Sequence, residues 1–237
     1  MPDNPTPITS NEIKRIEHTD LAERVHSILK EQIFNQKLSS GTQIVAEEFA
    51  KSLGVSRTPV QEALQRLDAE GLVEVKPRIG TFVKPLTMQE FSEIADLREN
   101  LELFAAKLAI NLVTDEEVEG LRKLAGEFTP FFTEDGKRTD IAGFARKNAE
   151  FHDFHFRLAN NNKLVQFYRR LNLDIIHARI YFRHEPRSAL LVNEEHLAIV
   201  GAYEDRSLAA LTRTISLHCR RGKKAALAVF EQTGGSL

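Results

Sequence analysis

The chain has 237 residues, 42% of them hydrophobic, and its length predicts one small and one medium-sized domain. Its formal net charge of −2 at pH 7 gives no whole-chain indication of nucleic-acid or membrane binding. It contains no run near the roughly 20 consecutive apolar residues of a membrane span, and its first ten residues, MPDNPTPITS, lack the apolar region of a signal peptide, so we expect a cytoplasmic protein without a membrane partner. The single cysteine, Cys219, excludes an intrachain disulfide and is compatible with a reducing compartment.

The first part of the chain reads as three helices and a ribbon. Residues 1–18 are polar and proline-containing and are predicted to form a disordered arm. Apolar side chains recur every three or four positions over 21–36, which predicts a helix. A second short helix is expected over 46–52, ended by Gly54, because glycine readily adopts the left-handed cap conformation.

Ser56 is the expected N-cap of a third helix, which buries Val60, Leu64 and Leu67 and ends at Gly71. The runs LVEV and TFVKP then alternate like two short strands, joined by the glycine-containing turn KPRIG.

After Pro85 only helices are predicted. Residues 87–113 carry apolar side chains at helical spacing, and Thr114 with Glu117 forms a capping box at the start of the next helix. Loop signals at 134–136, at 160–162 and around Pro186 delimit further helices, and Asp205 is the expected N-cap of the last one. The predicted fold is mainly α: a winged helix-turn-helix followed by an antiparallel all-helical bundle. The expected divisions are an arm at 1–18, a DNA-binding domain at 19–85, a linker at 86–89 and an effector-binding and dimerisation domain at 90–232.

The order of helices and strands in the first domain is that of a winged helix-turn-helix, whose third helix lies in the DNA major groove. Arg57 can make bidentate contacts with guanine or phosphate, and Gln61 can pair with adenine. The hydroxyls suit phosphate oxygens, and the ribbon turn would meet the DNA backbone. The candidate DNA contacts are Ser56, Arg57, Thr58, Gln61, Lys76 and Arg78.

A different interpretation is that these side chains are solvated charges on a protein-interaction module. Residues 1–84 contain 11 Lys or Arg against 12 Asp or Glu, so bulk charge does not support DNA binding. The DNA-binding hypothesis therefore depends on the pattern of residues and not on the overall charge. Any attraction to phosphate would be local and sensitive to salt.

The run FAKSLGVSRTPVQEALQRLDAEGLVEVKPRIGTFV resembles the N-terminal signature of GntR-family transcription regulators. The resemblance implies a homodimer that binds a short pseudo-palindromic operator in double-stranded DNA. It also implies that Arg57 and Gly80 match the family's recognition-helix arginine and wing glycine. Two positions depart from the pattern. Gln61 replaces a frequent arginine, and Ile79 precedes the wing glycine, with Arg78 one residue earlier. These departures leave the operator sequence open.

Three histidines of the second domain attract attention by position. Asn148 and His152 are four residues apart and share a helix face. His196 and His218 flank the last turn, and an antiparallel hairpin would offset them by only about 6 Å along the axis. The imidazoles could therefore converge on a metal ion. The alternative for each histidine is a core or interface residue bonded to a carbonyl.

The run NAEFHDFHFRL contains a further histidine, His155. In a helix His155 lies about 20° from Asn148, and His152 about 40° on the other side. Helical spacing alone therefore does not choose between the two histidines.

Residues 90–230 are similar to the FCD ligand-binding domain of the FadR subfamily, many of whose members hold a divalent metal through Asp-or-Asn-x3-His and two later histidines. The resemblance implies the ligands Asn148, His152, His196 and His218, and leaves His155 as a neighbour. Histidine-rich coordination suits zinc or nickel. Asparagine in place of aspartate removes an anionic ligand, so the site should attract an anion.

Arg98 is the candidate holder of an effector carboxylate, through bidentate hydrogen bonds, because relatives carry an arginine there. The sequence alone equally supports a salt bridge from Arg98 to Glu102, four residues later.

The functional hypothesis is a ligand-responsive transcription repressor and not an enzyme: a small carboxylate at the metal site changes operator affinity. One competitor is a metal-free sensor of acyl-type effectors. The other is a metal-dependent enzyme, since such sites also activate water. Only Glu150 and Asp153 flank the site in sequence, and neither is an obvious general base.

Overall fold

The computed structural model describes residues 18–128, 131, 139–183 and 187–237. The expected arm, except for residue 18, and the loop signals at 134–136 and at Pro186 lie outside these residues. Within them the chain forms these helices and strands in order: α1 His18–Phe34, β1 Gln43–Ile44, α2 Ala46–Leu53, α3 Arg57–Ala69, β2 Val73–Lys76, β3 Gly80–Val83, α4 Met88–Ala109, α5 Asp115–Gly126, α6 Ile141–Leu158, α7 Asn162–Arg169, α8 Leu173–Tyr181, α9 Arg187–Glu204 and α10 Leu208–Gln232.

The N-terminal head contains α1 to α3 and a three-stranded antiparallel sheet, in which β3 lies between β1 and β2. Val73 of β2 faces Val83 of β3, and Lys76 faces Gly80 across the turn. Gly54 ends α2 with φ 66°, a left-handed conformation that costs glycine little. The predicted winged helix-turn-helix is confirmed.

Two details of the head differ from the sequence prediction. Strand β1 was not predicted, because two residues are too few to show alternation. Gln43 and Ile44 pair with Phe82 and Thr81, so β1 completes the sheet on its free edge. Ser56 does occupy the N-cap position of α3, but its side chain makes no capping hydrogen bond.

The C-terminal domain is an antiparallel helical bundle, as predicted. The ion pairs Asp96–Lys223 and Glu99–Arg220 join α4 to α10 in opposite chain directions. α9 and α10 form a hairpin, α5 packs on α9, and α6 packs against α4, α5 and α8. Large buried aromatic side chains fill the space between these helices: Phe128, Phe144, Phe151, Phe156 and Tyr203. Among the described residues no helix combines the length and apolar character needed to cross a membrane.

The two predicted caps of bundle helices had different outcomes. Thr114 and Glu117 form the reciprocal capping box at the start of α5, as predicted. The predicted N-cap Asp205 is wrong, because Arg206 adopts φ 49° and reverses the chain before the helix begins. Ser207 is the N-cap of α10, and its hydroxyl accepts a hydrogen bond from the Ala210 amide at 3.2 Å.

The segment predicted as a linker, residues 86–89, is paired with the C-terminal residues. Leu86 and Leu237 exchange two backbone hydrogen bonds of 2.8 and 2.9 Å. Thr87 is the N-cap of α4, and its side chain accepts a hydrogen bond from the Glu90 amide. The connection between head and bundle is therefore built into the bundle's end.

Head and bundle share one buried apolar cluster, in which Ala145, Ile175 and Ala178 of the bundle join the head core. Polar contacts surround it. Asn172 Nδ2 donates to the carbonyl of Glu70 at 3.2 Å, and Arg179 Nη1 donates to the carbonyl of Lys84 at 3.0 Å. The guanidinium of Arg146 pairs with the Glu31 carboxylate of α1 and lies 4.5 Å from the Phe34 ring centroid. The head is thus docked on α6 and α8.

Candidate metal centre and nucleic-acid interface

Three buried histidines from three helices converge inside the bundle. His152 comes from α6, His196 from α9 and His218 from α10, and they are 1%, 0% and 5% exposed. One nitrogen of each lies within 4.8 Å of the others, the spacing of a group able to hold one ion. The Nε2 atoms of His152 and His218 are 3.3 Å apart. The α9–α10 hairpin brings His196 and His218 together, as the sequence argument proposed.

Asn148 lies one turn before His152 on α6 and is 1% exposed. Its Oδ1 atom and both ring nitrogens of His196 have no hydrogen-bond partner among the described residues. Buried polar atoms are normally satisfied, so these unpaired atoms are available to a ligand. Three imidazoles and an amide oxygen are a donor set that suits a divalent ion such as zinc or nickel. The residues present therefore fit a metal ion.

The packing around the histidines orients them. The His196 ring stacks on Phe151 with 3.9 Å between ring centroids, and Phe128 contacts it edge-on. His218 Nδ1 lies 3.0 Å from Glu195 Oε2. That arrangement resembles the carboxylate–histidine pairs that orient metal ligands, with Nε2 left to face the ion.

Burial also sets the protonation of the histidines. It lowers the pKa of His152 to about 3, although the Glu102 carboxylate works in the opposite direction. Burial likewise lowers the pKa of His196 well below its usual range, reinforced by its neighbours His218 and His152. Both rings are neutral at pH 7, which is the form that binds a metal ion.

Two buried carboxylates, Glu102 and Glu195, were not predicted at this site. Glu102 Oε1 lies 2.6 Å from Arg98 Nε and 3.3 Å from His152 Nδ1. Burial opposes ionisation of Glu102, but the guanidinium of Arg98 and a hydrogen bond from His152 hold its pKa well below its usual range. Glu195 Oε1 lies 2.5 Å from Arg221 Nη1, close enough for an ion pair but without hydrogen-bond geometry. Each carboxylate therefore has its own cation, and the pairs balance in charge.

Arg98 forms the salt bridge that was one of the two interpretations of its sequence position, and it also lies at the candidate site. It forms the salt bridge to Glu102, four residues later on α4, and its guanidinium also enters the histidine cluster. Nη2 lies 2.8 Å from His152 Nε2 and 3.2 Å from His218 Nε2. Nη1 lies 2.9 Å from Nε2 of His177.

His177 and His155 have distinct surroundings. His177, on α8, was missed by the sequence analysis, because its only signal is spatial: Nδ1 lies 3.3 Å from Asn148 Nδ2. His155 is 1% exposed, but its Nε2 contacts the carbonyl of Glu102 at 3.2 Å and its Nδ1 contacts the Tyr203 hydroxyl at 3.0 Å. Both its nitrogens have protein partners, and His155 is not part of the converging group.

A cavity of about 110 Å³ adjoins the histidine cluster. This space is enough for a small organic ligand. Its polar wall includes Arg98, His177, Glu195 and His218, and its apolar wall includes Phe91, Ile180 and Val192. The cavity is therefore mostly apolar, with charged groups at one side.

Most of the predicted DNA contacts are exposed side chains of the head. Ser56, Arg57, Thr58 and Gln61 are exposed at the start of α3, and Arg78 is exposed in the β2–β3 turn with φ 65°. Gly80 begins β3 with φ 146°, a conformation that favours glycine. The first turn of α3 carries no acidic residue, so the positive end of its dipole is available to a phosphate.

Comparison with known proteins agrees with this architecture. The family described as "Bacterial regulatory proteins, gntR family" matches residues 21–83, and the FCD domain matches residues 93–221. The HTH-type transcriptional regulator YdhC of Bacillus subtilis is 30% identical over 191 residues, covering 80% of this chain and 84% of that protein. The "Probable D-xylose utilization operon transcriptional repressor" of Paenarthrobacter nicotinovorans is 32% identical over 165 residues, covering 69% and 70%.

Among solved structures, McbR/YncC of Escherichia coli has the same fold, with a TM-score of 0.75 at 21% identity over 90% of this chain and 98% of that one. Both relatives described above are named as transcription regulators. The chain belongs to the GntR family of bacterial transcription regulators, with a DNA-binding head followed by an FCD domain.

Proposed function

We propose that the protein is a homodimeric repressor that releases its operator when a small carboxylate binds to a metal ion in the bundle. The ion is held by Asn148, His152, His196 and His218. The observation that carries this proposal is the convergence of three buried imidazoles, together with the unpaired Asn148 Oδ1 and the unpaired ring nitrogens of His196. A core histidine would instead have both nitrogens paired, as His155 has.

The charges around the proposed metal site predict the chemical class of the effector. The neighbouring carboxylates are already paired, Glu102 with Arg98 and Glu195 with Arg221. A divalent ion bound by neutral ligands therefore adds two uncompensated positive charges to a buried site. An anion that reaches the ion from the adjoining cavity offsets that cost. The adjoining cavity, of about 110 Å³, has room for a small organic anion.

The proposed DNA contacts are Ser56, Arg57, Thr58 and Gln61 in the major groove, with Arg78 and Gly80 in the wing beside the backbone. The exposure of Ser56, Arg57, Thr58, Gln61 and Arg78 supports this assignment. Base discrimination falls to Arg57 and Gln61, because their side chains can form bidentate hydrogen bonds. The repressor assignment is supported by the relative of Paenarthrobacter nicotinovorans, which is named as a repressor.

The homodimer is supported by an exposed apolar stripe along α4. Leu97 and Phe104 are 38% and 48% exposed and lie on one face of α4 with the half-buried Leu101 and Leu108. Leu112, in the turn just after α4, is 59% exposed. A stripe of this kind is unfavourable in contact with water and marks an interaction surface. A second copy covers it best, because a pseudo-palindromic operator is matched by a two-fold symmetric pair of heads.

The test is a thermal-shift screen of the metal-free protein with zinc or nickel chloride and then a panel of carboxylates of two to six carbons. A ligand that binds only the folded state raises the melting temperature. We expect metal alone to raise it, and a subset of carboxylates to raise it further only when metal is present. A rise in melting temperature caused by a carboxylate in the absence of metal would favour a metal-free sensor. Ester or lactone hydrolysis by metal-loaded protein, lost in His152→Ala, would favour the enzyme.

A further inference from the structure

The guanidinium of Arg98 lies among the nitrogens that a metal ion would use. Its Nη2 atom is 2.8 Å from His152 Nε2 and 3.2 Å from His218 Nε2. These two Nε2 atoms are themselves only 3.3 Å apart. One guanidinium nitrogen thus contacts two of the three histidines of the cluster.

The hydrogen-bond partners of His152 and His218 determine which ring nitrogen of each is available to a metal ion. His152 Nδ1 faces the Glu102 carboxylate at 3.3 Å, and His218 Nδ1 faces the Glu195 carboxylate at 3.0 Å. A carboxylate only accepts, so each ring carries a proton on Nδ1. A guanidinium nitrogen only donates, so each Nε2, which lies within 3.2 Å of Arg98 Nη2, serves as an acceptor.

A lone pair on an imidazole nitrogen serves either a hydrogen-bond donor or a metal ion, but not both. A metal–imidazole bond is about 2.0–2.1 Å long. Nη2 lies 2.8 Å from His152 Nε2 and 3.5 Å from Nδ1 of the same ring, so it sits beside Nε2, and an ion at bonding distance from Nε2 would lie against the guanidinium. Two cations at such separation in a buried site also repel strongly.

We propose that Arg98 is an internal cation that competes with the metal for His152 and His218. Metal binding displaces its guanidinium into the adjoining cavity, where it becomes available to the effector carboxylate. Arg98 already lines that cavity, and its Nε bond to Glu102 holds the side chain while its outer nitrogens move. The metal therefore creates the effector site, and by linkage the effector strengthens metal binding.

This inference rests on the proposed function. It predicts the opposite change in metal affinity from the one expected if Arg98 only supported the site. If Arg98 only supported the site, its removal would leave metal affinity unchanged or weaken it. As a competitor, it holds metal affinity down, and its removal raises metal affinity in the absence of any carboxylate.

The test measures zinc affinity of the full-length protein by competition with a chromogenic chelator, with no carboxylate present. We expect Arg98→Ala and Arg98→Met to bind zinc at least about ten times more tightly than the wild type. Arg220→Ala is the matched control, because Arg220 also bridges α4 and α10, through Glu99, but is 74% exposed at the surface. Its zinc affinity should equal that of the wild type.

Loss of Arg98 leaves Glu102 buried without its cation, so the single variants could fold poorly. The double variant Arg98→Met/Glu102→Gln removes both charges and is compared with Glu102→Gln alone, which keeps the arginine. We expect the double variant to bind zinc more tightly than Glu102→Gln. A crystal structure with zinc gives a second readout, in which Arg98 Nη2 is no longer within hydrogen-bond distance of either Nε2 atom.

Equal or weaker zinc binding in the Arg98 variants would overturn the competition and leave the metal site standing. A rise in zinc affinity of the same size in Arg220→Ala would also overturn the proposed competition, since the loss of any positive charge would then explain the effect. If neither the wild type nor any variant bound zinc or nickel, the proposed metal-dependent function would fail together with this inference.

Discussion

Lys30 on α1 of the head donates a hydrogen bond of 2.7 Å to Oδ1 of Asn172, immediately before α8 of the bundle. α8 also carries His177, whose Nε2 lies 2.9 Å from Arg98 Nη1 in the histidine site. One short helix thus contacts both the DNA-binding head and the candidate effector site. A displacement of α8 on ligand binding would alter the docking of the head.

We predict that Lys30→Ala weakens the communication between the two sites without abolishing either. The variant loses the bond to Asn172 and the ion pair with Glu70 at 3.1 Å. Typical allosteric couplings change affinity about 5- to 150-fold, and we expect this factor to shrink towards one. The measurement is operator binding by fluorescence anisotropy, with zinc and with or without the carboxylate identified by thermal shift. Lys37→Ala, an exposed lysine just after α1, is the control. Unchanged coupling in Lys30→Ala would show that this contact does not transmit the signal.

The metal ligands and their neighbour should respond differently to substitution. We expect His152→Ala, His196→Ala and His218→Ala to lose zinc binding measurable by chelator competition. His155→Ala should keep it, because both nitrogens of His155 are bonded to Glu102 and Tyr203. That variant should instead be less stable, since it leaves a buried hydroxyl without its partner, at a cost of about 1–3 kcal/mol. Loss of zinc in His155→Ala with retention in His152→Ala would reverse the assignment.

Asn148→Asp tests the charge argument for the effector. The substitution restores a negative ligand at nearly constant shape, so zinc should bind more tightly and depend less on an added carboxylate. Calorimetric titration of zinc with and without the carboxylate measures both effects. Stronger dependence on the carboxylate in the variant would contradict the view that the effector offsets the charge of the ion.

The α4 stripe predicts a specific disruption of the dimer. Phe104→Glu places a charge in the middle of the proposed interface, and the protein should become monomeric in light scattering coupled to size-exclusion chromatography. Phe167→Glu is a matched control, because Phe167 on α7 is 49% exposed against 48% for Phe104. The control should remain dimeric. A dimeric Phe104→Glu would place the interface on another surface.

The capping box of α5 should contribute measurably to stability. Thr114→Ala removes the hydroxyl that accepts the Glu117 amide at 3.2 Å, and we expect a loss of about 1 kcal/mol in the free energy of unfolding. Urea denaturation measures the loss. Thr212→Ala, in the exposed interior of α10, loses no cap and should be neutral or slightly stabilising. Equal losses in the two variants would argue against the capping contribution.

Local rules predicted much of the fold. The left-handed turn at Gly54 and the capping box at Thr114 depend only on neighbouring residues, so the sequence predicted both. Strand β1 depends on its pairing with β3, which lies far away in the chain, and it could not be predicted from two residues. The N-cap of α10 shifted from Asp205 to Ser207 because the left-handed Arg206 delays the start of the helix.

The candidate site likewise combines features that local sequence predicted with features that depend on how distant helices pack. Helical spacing predicted that Asn148 and His152 share a face, and the hairpin argument brought His196 towards His218. The roles of Glu102, Glu195 and His177 depend on how α4, α8 and α9 pack against α6 and α10. Spacing along one helix predicted the Arg98–Glu102 bridge as one option. It could not predict that the same guanidinium would contact two histidines from other helices.

The most direct test of the account is selection of a binding site from a random double-stranded DNA library by the full-length protein. We expect enrichment of a short two-fold symmetric sequence by the wild type. Arg57→Ala should bind that sequence no better than random DNA, since a bidentate arginine–guanine contact contributes about 1–3 kcal/mol in each half-site. Its dimer should remain intact in light scattering. Selection of no symmetric sequence by the wild type, or undiminished specific binding by Arg57→Ala at physiological salt, would contradict the account.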